Sequence, residues 1–373
     1  MARALALARR GLGETNPNPM VGCVLVKGGR VVGEGWHRRA GGPHAEVHAL
    51  RAAGPAARGA TAYVTLEPCA HEGRTPPCAP DLVRAGVRRV VAAMGDPNPA
   101  VSGRGLATLR RGGLEVAVGV AADAVAALNE PFVFAARLDR PFVMLKAALT
   151  LDGRIATAAG ESKWITAPSL RRRARALRRL HDGVAVGVGT VLADDPLLLP
   201  APRTRRPFHR VVFDSRLRTP LRSRLVSSAG EGPLWIVTTD TAPGREAFET
   251  RGVRLLAAPA RDGRVDLEWG LAALRAEGLW SLMVEGGSDL LGALLAERLF
   301  DQVALFRAPL LLGGRHSRSA FGGPDPDRLS DAVPLTPRSP ILPRGSAALS
   351  PAAAADGAYE IWYRAGVRYG RTR

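Results

Sequence analysis

The chain has 373 residues, 46% of them apolar and 23% charged, with a formal net charge of +18 and three cysteines. That length suits two domains better than one core; no apolar run approaches the ~18 residues that span a bilayer, and an odd cysteine count argues against a disulfide framework. The positive balance fits nucleic acid or small phosphorylated ligands, but arginine is spread throughout and Lys27, Lys146 and Lys163 are the only lysines, the mark of a compositional bias more than of a binding face.

Met1–Leu12 is apolar but interrupted by Arg3, Arg9 and Arg10, so it reads as a short amphipathic helix and not a signal peptide; a cytoplasmic location is expected. The pattern predicts strands at 20–27, 30–36, 60–65, 87–93 and 114–118, and helices at 2–10, 44–53, 77–85, 103–111 and 121–137. Such alternation makes an α/β layer fold with helices on a mixed sheet. Cys23, inside an apolar strand, is expected to be plain core. The polar stretch 137–141 ends in Pro141 and marks a boundary, giving domains 1–138 and 139–373. A second alternation follows, with strands at 142–149, 183–187, 209–213, 233–238, 253–256, 280–284 and 302–307, and helices at 167–180, 242–249, 266–276 and 287–296. Gly187–Pro196 reads as a glycine-bearing loop ending in paired acids, 320–355 as loops, 359–363 as a last strand and 364–373 as a basic tail. The run Arg171–Arg175 is either a solvated helix face or an anion-binding one.

The sharpest signal lies early. His44-Ala45-Glu46 opens a helix; Pro68-Cys69 and Cys78 follow. One imidazole and two thiolates leave a fourth tetrahedral position open, the ligand count of a catalytic zinc. Zinc there brings the pKa of a water toward ~7, and a carboxylate that is not a ligand must then handle protons. Glu46 is placed for that, and H-x-E…P-C…C is the pattern of zinc nucleobase deaminases. No Glu follows His44 directly, so protease chemistry of the H-E-x-x-H kind is not indicated; His48 is expected to be a satisfied polar residue. Eight residues separate the cysteines, where the common motif has two. This polar insertion is either a surface loop or a reader of substrate through His71 and Arg74.

The second half is less explicit. Lys146 lies on a predicted strand, and Val284-Glu285-Gly286-Gly287-Ser288 runs from strand through glycines into helix. Glycines there let backbone N–H groups approach a phosphate, although a tight turn explains each loop equally. No G-x-G-x-x-G follows a strand, so a Rossmann domain is not supported.

Asn16–Gly22, Pro43–Leu50, Thr65–Cys78, Asp96–Pro99 and Gly103–Gly105 resemble the deaminase half of the bifunctional riboflavin-biosynthesis deaminase/reductase family, long intercysteine loop included. The resemblance runs through the whole chain, strongest over 14–106. It implies a cytidine-deaminase-like three-layer α/β/α domain followed by a dihydrofolate-reductase-like α/β domain. The first would hydrolytically deaminate 2,5-diamino-6-(5-phosphoribosylamino)pyrimidin-4(3H)-one, with zinc on His44, Cys69 and Cys78, Glu46 catalytic, and Asn18, His71 and Arg74 on the substrate. The second would use NADPH to reduce the ribosyl group to ribityl. Cofactor contacts would fall to Ala148, Trp164, Thr190, Asp194, Ser215, Gly286 and Gly287. Lys146 would serve as the proton source, unless it is a structural ion pair with Asp194 or Glu285. Substrate contacts would fall to Ser162, Arg178, Leu198 and Glu285, with Arg178 gripping the phosphate bidentately.

Two departures stand out. The family carries a few residues ahead of Met1, which implies a misassigned start or a shortened first helix. After Asp194-Asp195-Pro196 the family continues Leu-Thr-x-Arg, whereas this chain reads Leu197-Leu198-Leu199-Pro200-Ala201-Pro202-Arg203; Arg203 would replace the displaced arginine. The expected partner is a small phosphorylated pyrimidine, with neither nucleic acid nor membrane, in a homo-oligomer (dimer or tetramer). Two alternatives are a tRNA deaminase with an accessory nucleotide-binding domain, prompted by the charge, and a protein whose second domain only binds nucleotide, prompted by the altered 199–203 segment.

Overall fold

The computed structural model describes residues 1–72, 75–338 and 357–365. These form two compact units, Met1–Leu138 and Asp139 onward.

The first unit runs α1 (Ala2–Ala8), β1 (Gly22–Lys27), β2 (Arg30–Trp36), α2 (Ala45–Ala53), β3 (Thr61–Val64), α3 (Cys78–Arg84), β4 (Arg89–Ala92), α4 (Arg104–Arg111), β5 (Glu115–Val118), α5 (Ala122–Leu128) and α6 (Glu130–Ala135). The sheet order is β2-β1-β3-β4-β5, with β1 antiparallel to β2 and β3 and the rest parallel. Side chains alternate across a strand, and β1 shows it. Cys23 and Leu25 join Ala45 and Ala49 of α2, Leu82 of α3 and Leu109 of α4, while Val24 faces Ala4 and Leu7 of α1. The unit is therefore three layers, and Cys23 is fully buried core. A Cβ on Gly35 would lie 2.2 Å from the carbonyl oxygen of Ala45, and one on Gly33 2.3 Å from that of Ala49. Only glycine lets α2 lie this close to β2, and this contact fixes where the start of α2 points. The single helix expected over 121–137 is two, broken at Asn129, whose side chain accepts from Met20 N and donates to Met20 O.

The second unit runs β6 (Phe142–Leu149), β7 (Arg154–Ala156), α7 (Pro168–Leu177), β8 (Gly183–Gly187), α8 (Val188–Asp194), β9 (His209–Phe213), α9 (Arg224–Ser227), β10 (Leu234–Thr239), α10 (Glu246–Glu249), β11 (Arg254–Ala258), β12 (Ala260–Arg261), β13 (Arg264–Val265), α11 (Leu267–Ala276), β14 (Ser281–Glu285), α12 (Ser288–Ala296), β15 (Gln302–Arg307), β16 (Arg318–Ser319), β17 (Leu335–Arg338) and β18 (Ala358–Arg364). Its main sheet is ordered β11-β10-β9-β8-β14-β6-β15-β18-β17. It is parallel except at β18, which runs antiparallel to β15 and β17. Val143, Leu145, Leu282 and Val284 face α11 and α12. Lys146 and Glu285 sit one residue on from these, opposite each other in register, and so point to the other face, where Arg178, the residue after α7, meets Glu285.

Three expectations are corrected here. Gly187–Pro196 is a helix, α8, for most of its length and not a loop. The helix expected at 242–249 shrinks to α10. The 320–355 stretch includes strand β17, while 339–356 lie outside the described residues. Among the described residues no helix is long and apolar enough to cross a membrane.

Candidate metal centre and reductase site

Three helix starts and strand ends of the first unit converge. His44 is the residue before α2, Cys69 follows β3, and Cys78 opens α3. Their ligand atoms, one nitrogen and two sulfurs, all lie within 4.8 Å of one another. His44 Nδ1 is 3.1 Å from Cys78 Sγ and 3.5 Å from Cys69 Sγ. That nitrogen is therefore the inward one, and Nε2 lies 3.0 Å from Thr75 Oγ1; a metal on Nδ1 would leave Nε2 protonated and donating to that hydroxyl. An imidazole oriented from behind in this way is the usual support of a metal ligand. Cys78 N donates to Cys69 Sγ at 3.3 Å, as suits a thiolate. The hydrogen bond from Cys78 is the main influence holding the Cys69 thiol at about 4, and the same shared proton pushes Cys78 far up. A divalent cation takes the place of such shared protons and binds both sulfurs as thiolates.

Glu46 is 97% buried, and its Oε2 has no hydrogen-bond partner among the described residues. Burial pushes its carboxyl up, to about 7. A buried carboxylate oxygen left without a partner beside three soft ligands fits a zinc site with a proton carrier alongside.

Around it, Asn18 Nδ2 lies 3.2 Å from His37 Nε2, and His37 Nδ1 lies 3.2 Å from Pro43 O. A carbonyl only accepts, so Nδ1–H donates to Pro43 O and Nε2 accepts from Asn18. Burial lowers the pKa of His37, which favours this neutral form. The amide of Asn18 is thereby fixed with its oxygen free for another donor. Glu67 holds the loops beneath: Oε2 accepts from Asp96 N and Gly103 N, Oε1 from Gly105 N and Leu106 N, at 2.8–3.2 Å. His37, Glu67 and Thr75 were given no role from sequence, because their roles depend on contacts that no spacing records. His71 is exposed but near enough to Asp96 to lower that residue's pKa against the larger effect of burial. Arg74 lies outside the described residues. His48 is not the satisfied polar residue expected: its Nε2 is buried with no partner among the described residues.

In the second unit, Glu285 is shared. Arg178 Nε and Nη2 donate to its two oxygens at 2.6 and 3.1 Å, while Lys146 Nζ stands 3.7 Å away. All three side chains are only 11–13% exposed. Burial disfavours the Glu285 anion, but Arg178 and Lys146 outweigh it and hold the carboxyl at about 2. Arg178 Nη1 also donates to Leu199 O at 2.8 Å. Of its five N–H groups three are thus committed, which leaves one on Nη1 and one on Nη2 for a ligand. Lys146 pairs with Glu285 and not with Asp194, which meets Lys163 at 3.1 Å.

Gly286 and Gly287 have φ of 70° and 64°, and a Cβ on Gly286 would sit 3.0 Å from Thr190 Oγ1. The Gly-Gly turn at the start of α12 and Thr190 of α8 are therefore brought together. Ala148 lies two residues beyond Lys146 on the same strand face. Ser215 Oγ accepts from Val265 N. Ser162 is half-buried, and Trp164 is 69% exposed under the Arg171 guanidinium. The side chain of Leu198 is buried in the core with Val191 and Leu225, which leaves its backbone to face a ligand. Arg203 forms an exposed pair with Glu231 at 2.6 Å.

The chain matches two family models: "Cytidine and deoxycytidylate deaminase zinc-binding region" over residues 1–94 and "RibD C-terminal domain" over 141–337. It is 45% identical to the riboflavin biosynthesis protein RibD of Actinobacillus pleuropneumoniae, covering 92% of this chain and 91% of that one. It is 46% identical to RibD of Escherichia coli K12, covering 89% and 92%. Among solved structures it is similar to Acinetobacter baumannii RibD (TM-score 0.85, 36% identity, 97% of each chain). It is also similar to a Thermotoga maritima diaminohydroxyphosphoribosylaminopyrimidine deaminase/5-amino-6-(5-phosphoribosylamino)uracil reductase (TM-score 0.80, 33% identity, covering 98% and 97%). The fold is that of a cytidine-deaminase-like unit followed by a dihydrofolate-reductase-like one.

Proposed function

The chain belongs to the RibD family of riboflavin-biosynthesis proteins, and from that we propose how its residues divide the work of a bifunctional enzyme. The first unit deaminates 2,5-diamino-6-(5-phosphoribosylamino)pyrimidin-4(3H)-one; the second reduces the ribosyl side chain of the product to ribityl with NADPH. The convergence of His44, Cys69 and Cys78 beside the partnerless Oε2 of Glu46 carries the reading.

His44 Nδ1 and the two thiolates are the zinc ligands. Zinc held there supplies Lewis acidity that makes water a usable nucleophile near neutral pH. Glu46 Oε2 takes the proton of the attacking water and returns it to the departing ammonia. Asn18, held by His37, orients the pyrimidine, and His71 and Arg74 reach over it from the long loop. In the second unit NADPH supplies the hydride. The Gly286–Gly287 turn and Thr190 receive the cofactor with Ala148, Trp164, Asp194 and Ser215, the turn offering backbone N–H groups to its phosphates. Lys146 Nζ gives a proton to the sugar oxygen as charge develops on it. Ser162, Glu285, Arg178 and the Leu198 backbone line the substrate, with Arg203 at the margin. Domain limits of 1–138 and 139–373, a cytoplasmic homo-oligomer, and no nucleic-acid or membrane partner complete the proposal. Both halves of the curated relatives are present here, which leaves the tRNA reading without support.

Metal content per chain, measured with ammonia release and NADPH oxidation on the phosphoribosylamino-pyrimidine, tests the proposal. One zinc and both activities are expected. Metal-free active protein, or ammonia released only from tRNA, refutes it.

A further inference from the structure

Three charges share one nearly dry spot of the second unit: Lys146, Arg178 and Glu285, two positive and one negative. They do not share it equally. Arg178 meets the carboxylate edge-on through two N–H groups, the strong geometry for such a pair. Lys146 stands at 3.7 Å, beyond hydrogen-bond range. The third Arg178 bond, to Leu199 O, and a bond from Ala201 N to Arg175 O tie the loop after α8 to the end of α7. The guanidinium is therefore locked at both ends, and the carboxylate beneath it is locked too.

We propose that Arg178 is a positioning residue of the reductase site: by saturating Glu285 it keeps that carboxylate from closing on Lys146, so the ammonium keeps its proton for the substrate oxygen. The inference rests on the reading of Lys146 as proton source. Without Arg178, nothing else among the residues that meet Glu285 competes with Lys146 for its charge, and the two close into a tight pair. The lysine is then a poorer donor, and the loss falls on the chemical step.

The test is a double-mutant cycle. Arg178→Ala and Glu285→Gln are made singly and together, and kcat and KM are measured for NADPH oxidation with the deaminated pyrimidine. Tryptophan-quench titration of NADPH and the rate of deamination serve as checks on folding. The expected result for Arg178→Ala is a fall in kcat of about tenfold or more, larger than any accompanying rise in KM. The same change made in the Glu285→Gln background is expected to cost several-fold less, because an amide exerts no such pull. Guanidinium added to the Arg178→Ala variant should restore part of the rate. A rise in substrate KM alone, by the same factor in both backgrounds, overturns the inference and makes Arg178 a simple anion ligand. Wild-type protein that deaminates but oxidises no NADPH removes the premise and the inference with it, a result distinguishable because it needs no variant.

Discussion

Glu67→Gln is the sharpest test of how the deaminase site is built. The carboxylate accepts four backbone N–H groups, two on each oxygen. Glutamine keeps one acceptor oxygen. Its amide nitrogen must then face either the N–H pair of Asp96 and Gly103 or that of Gly105 and Leu106, donor against donor. Two charge-assisted bonds are lost, at about 1.5–3 kcal/mol each, and the donors left behind are part-buried at Asp96 and Gly103 or buried at Gly105 and Leu106. Glu67 also sits at the N-terminal end of α4, where a negative charge is favoured. The two lost bonds alone amount to about 3–6 kcal/mol, and the loss falls on the peptide that carries Cys69 two residues away. The assay is zinc release to a chromogenic chelator, with reactivity of Cys69 and Cys78 toward a thiol reagent; NADPH oxidation serves as the reference for the second unit. Zinc loss faster by two or more orders of magnitude is expected, with the reductase rate unchanged. A variant that keeps its metal as tightly as wild type would refute the view that this carboxylate holds the site together.

Glu46→Gln should retain zinc and lose ammonia release by about 10²–10⁴-fold, measured by metal analysis and coupled ammonia assay on the same sample. Lys146→Ala should leave deamination intact and depress NADPH oxidation; equal loss of both would mean that the two activities are not separable. Acid should destabilise the second unit through His181, which is fully buried and stacked on Phe142, with burial holding its pKa at about 3. The unfolded chain binds a proton near pH 6.5 that the folded chain refuses. This contribution is therefore absent above 6.5, and stability falls by about 1.4 kcal/mol per unit as pH drops from there toward 3. Urea midpoints followed by tryptophan fluorescence between pH 7 and 5 would read it, since Trp36 is the only tryptophan before residue 139. His181→Phe should flatten the slope.

Much of the fold was legible because the second sheet is nearly all parallel. Parallel strands are buried on both faces and read as short apolar runs, and 142–149, 183–187, 209–213 and 302–307 match residue for residue. What failed turned on local chemistry overruled by packing. Gly187 and Gly189 suggested a loop, yet Val188 and Val191 bury against Val184 and Leu225 and draw the segment into a helix. Asn129 breaks a helix because its amide is spent on Met20, a partner 109 residues away. At the metal centre only imidazoles, thiolates and carboxylates serve, so residue type and spacing brought His44, Cys69, Cys78 and Glu46 forward. Thr75, His37 and Glu67 act by orientation, and any sequence holds many residues like them.

Three buried glutamates show why residue type alone does not assign a role. Glu46 has an oxygen with no partner, and burial lifts its carboxyl to about 7, the condition of a group that must gain and lose a proton. Glu285 is equally enclosed, but two cations face it and hold it at about 2, so it remains a fixed negative charge at any working pH. Glu67 meets only backbone N–H groups and serves as a brace. Exchanging their surroundings would exchange their functions: an arginine gripping both oxygens of Glu46 would hold its carboxyl down and stop it carrying protons, and removal of both cations from Glu285 would give the second unit a titrating acid where the reaction needs a constant field. The environment, set by where α2, α4 and α7 lie on their sheets, turns one side chain into three chemical parts.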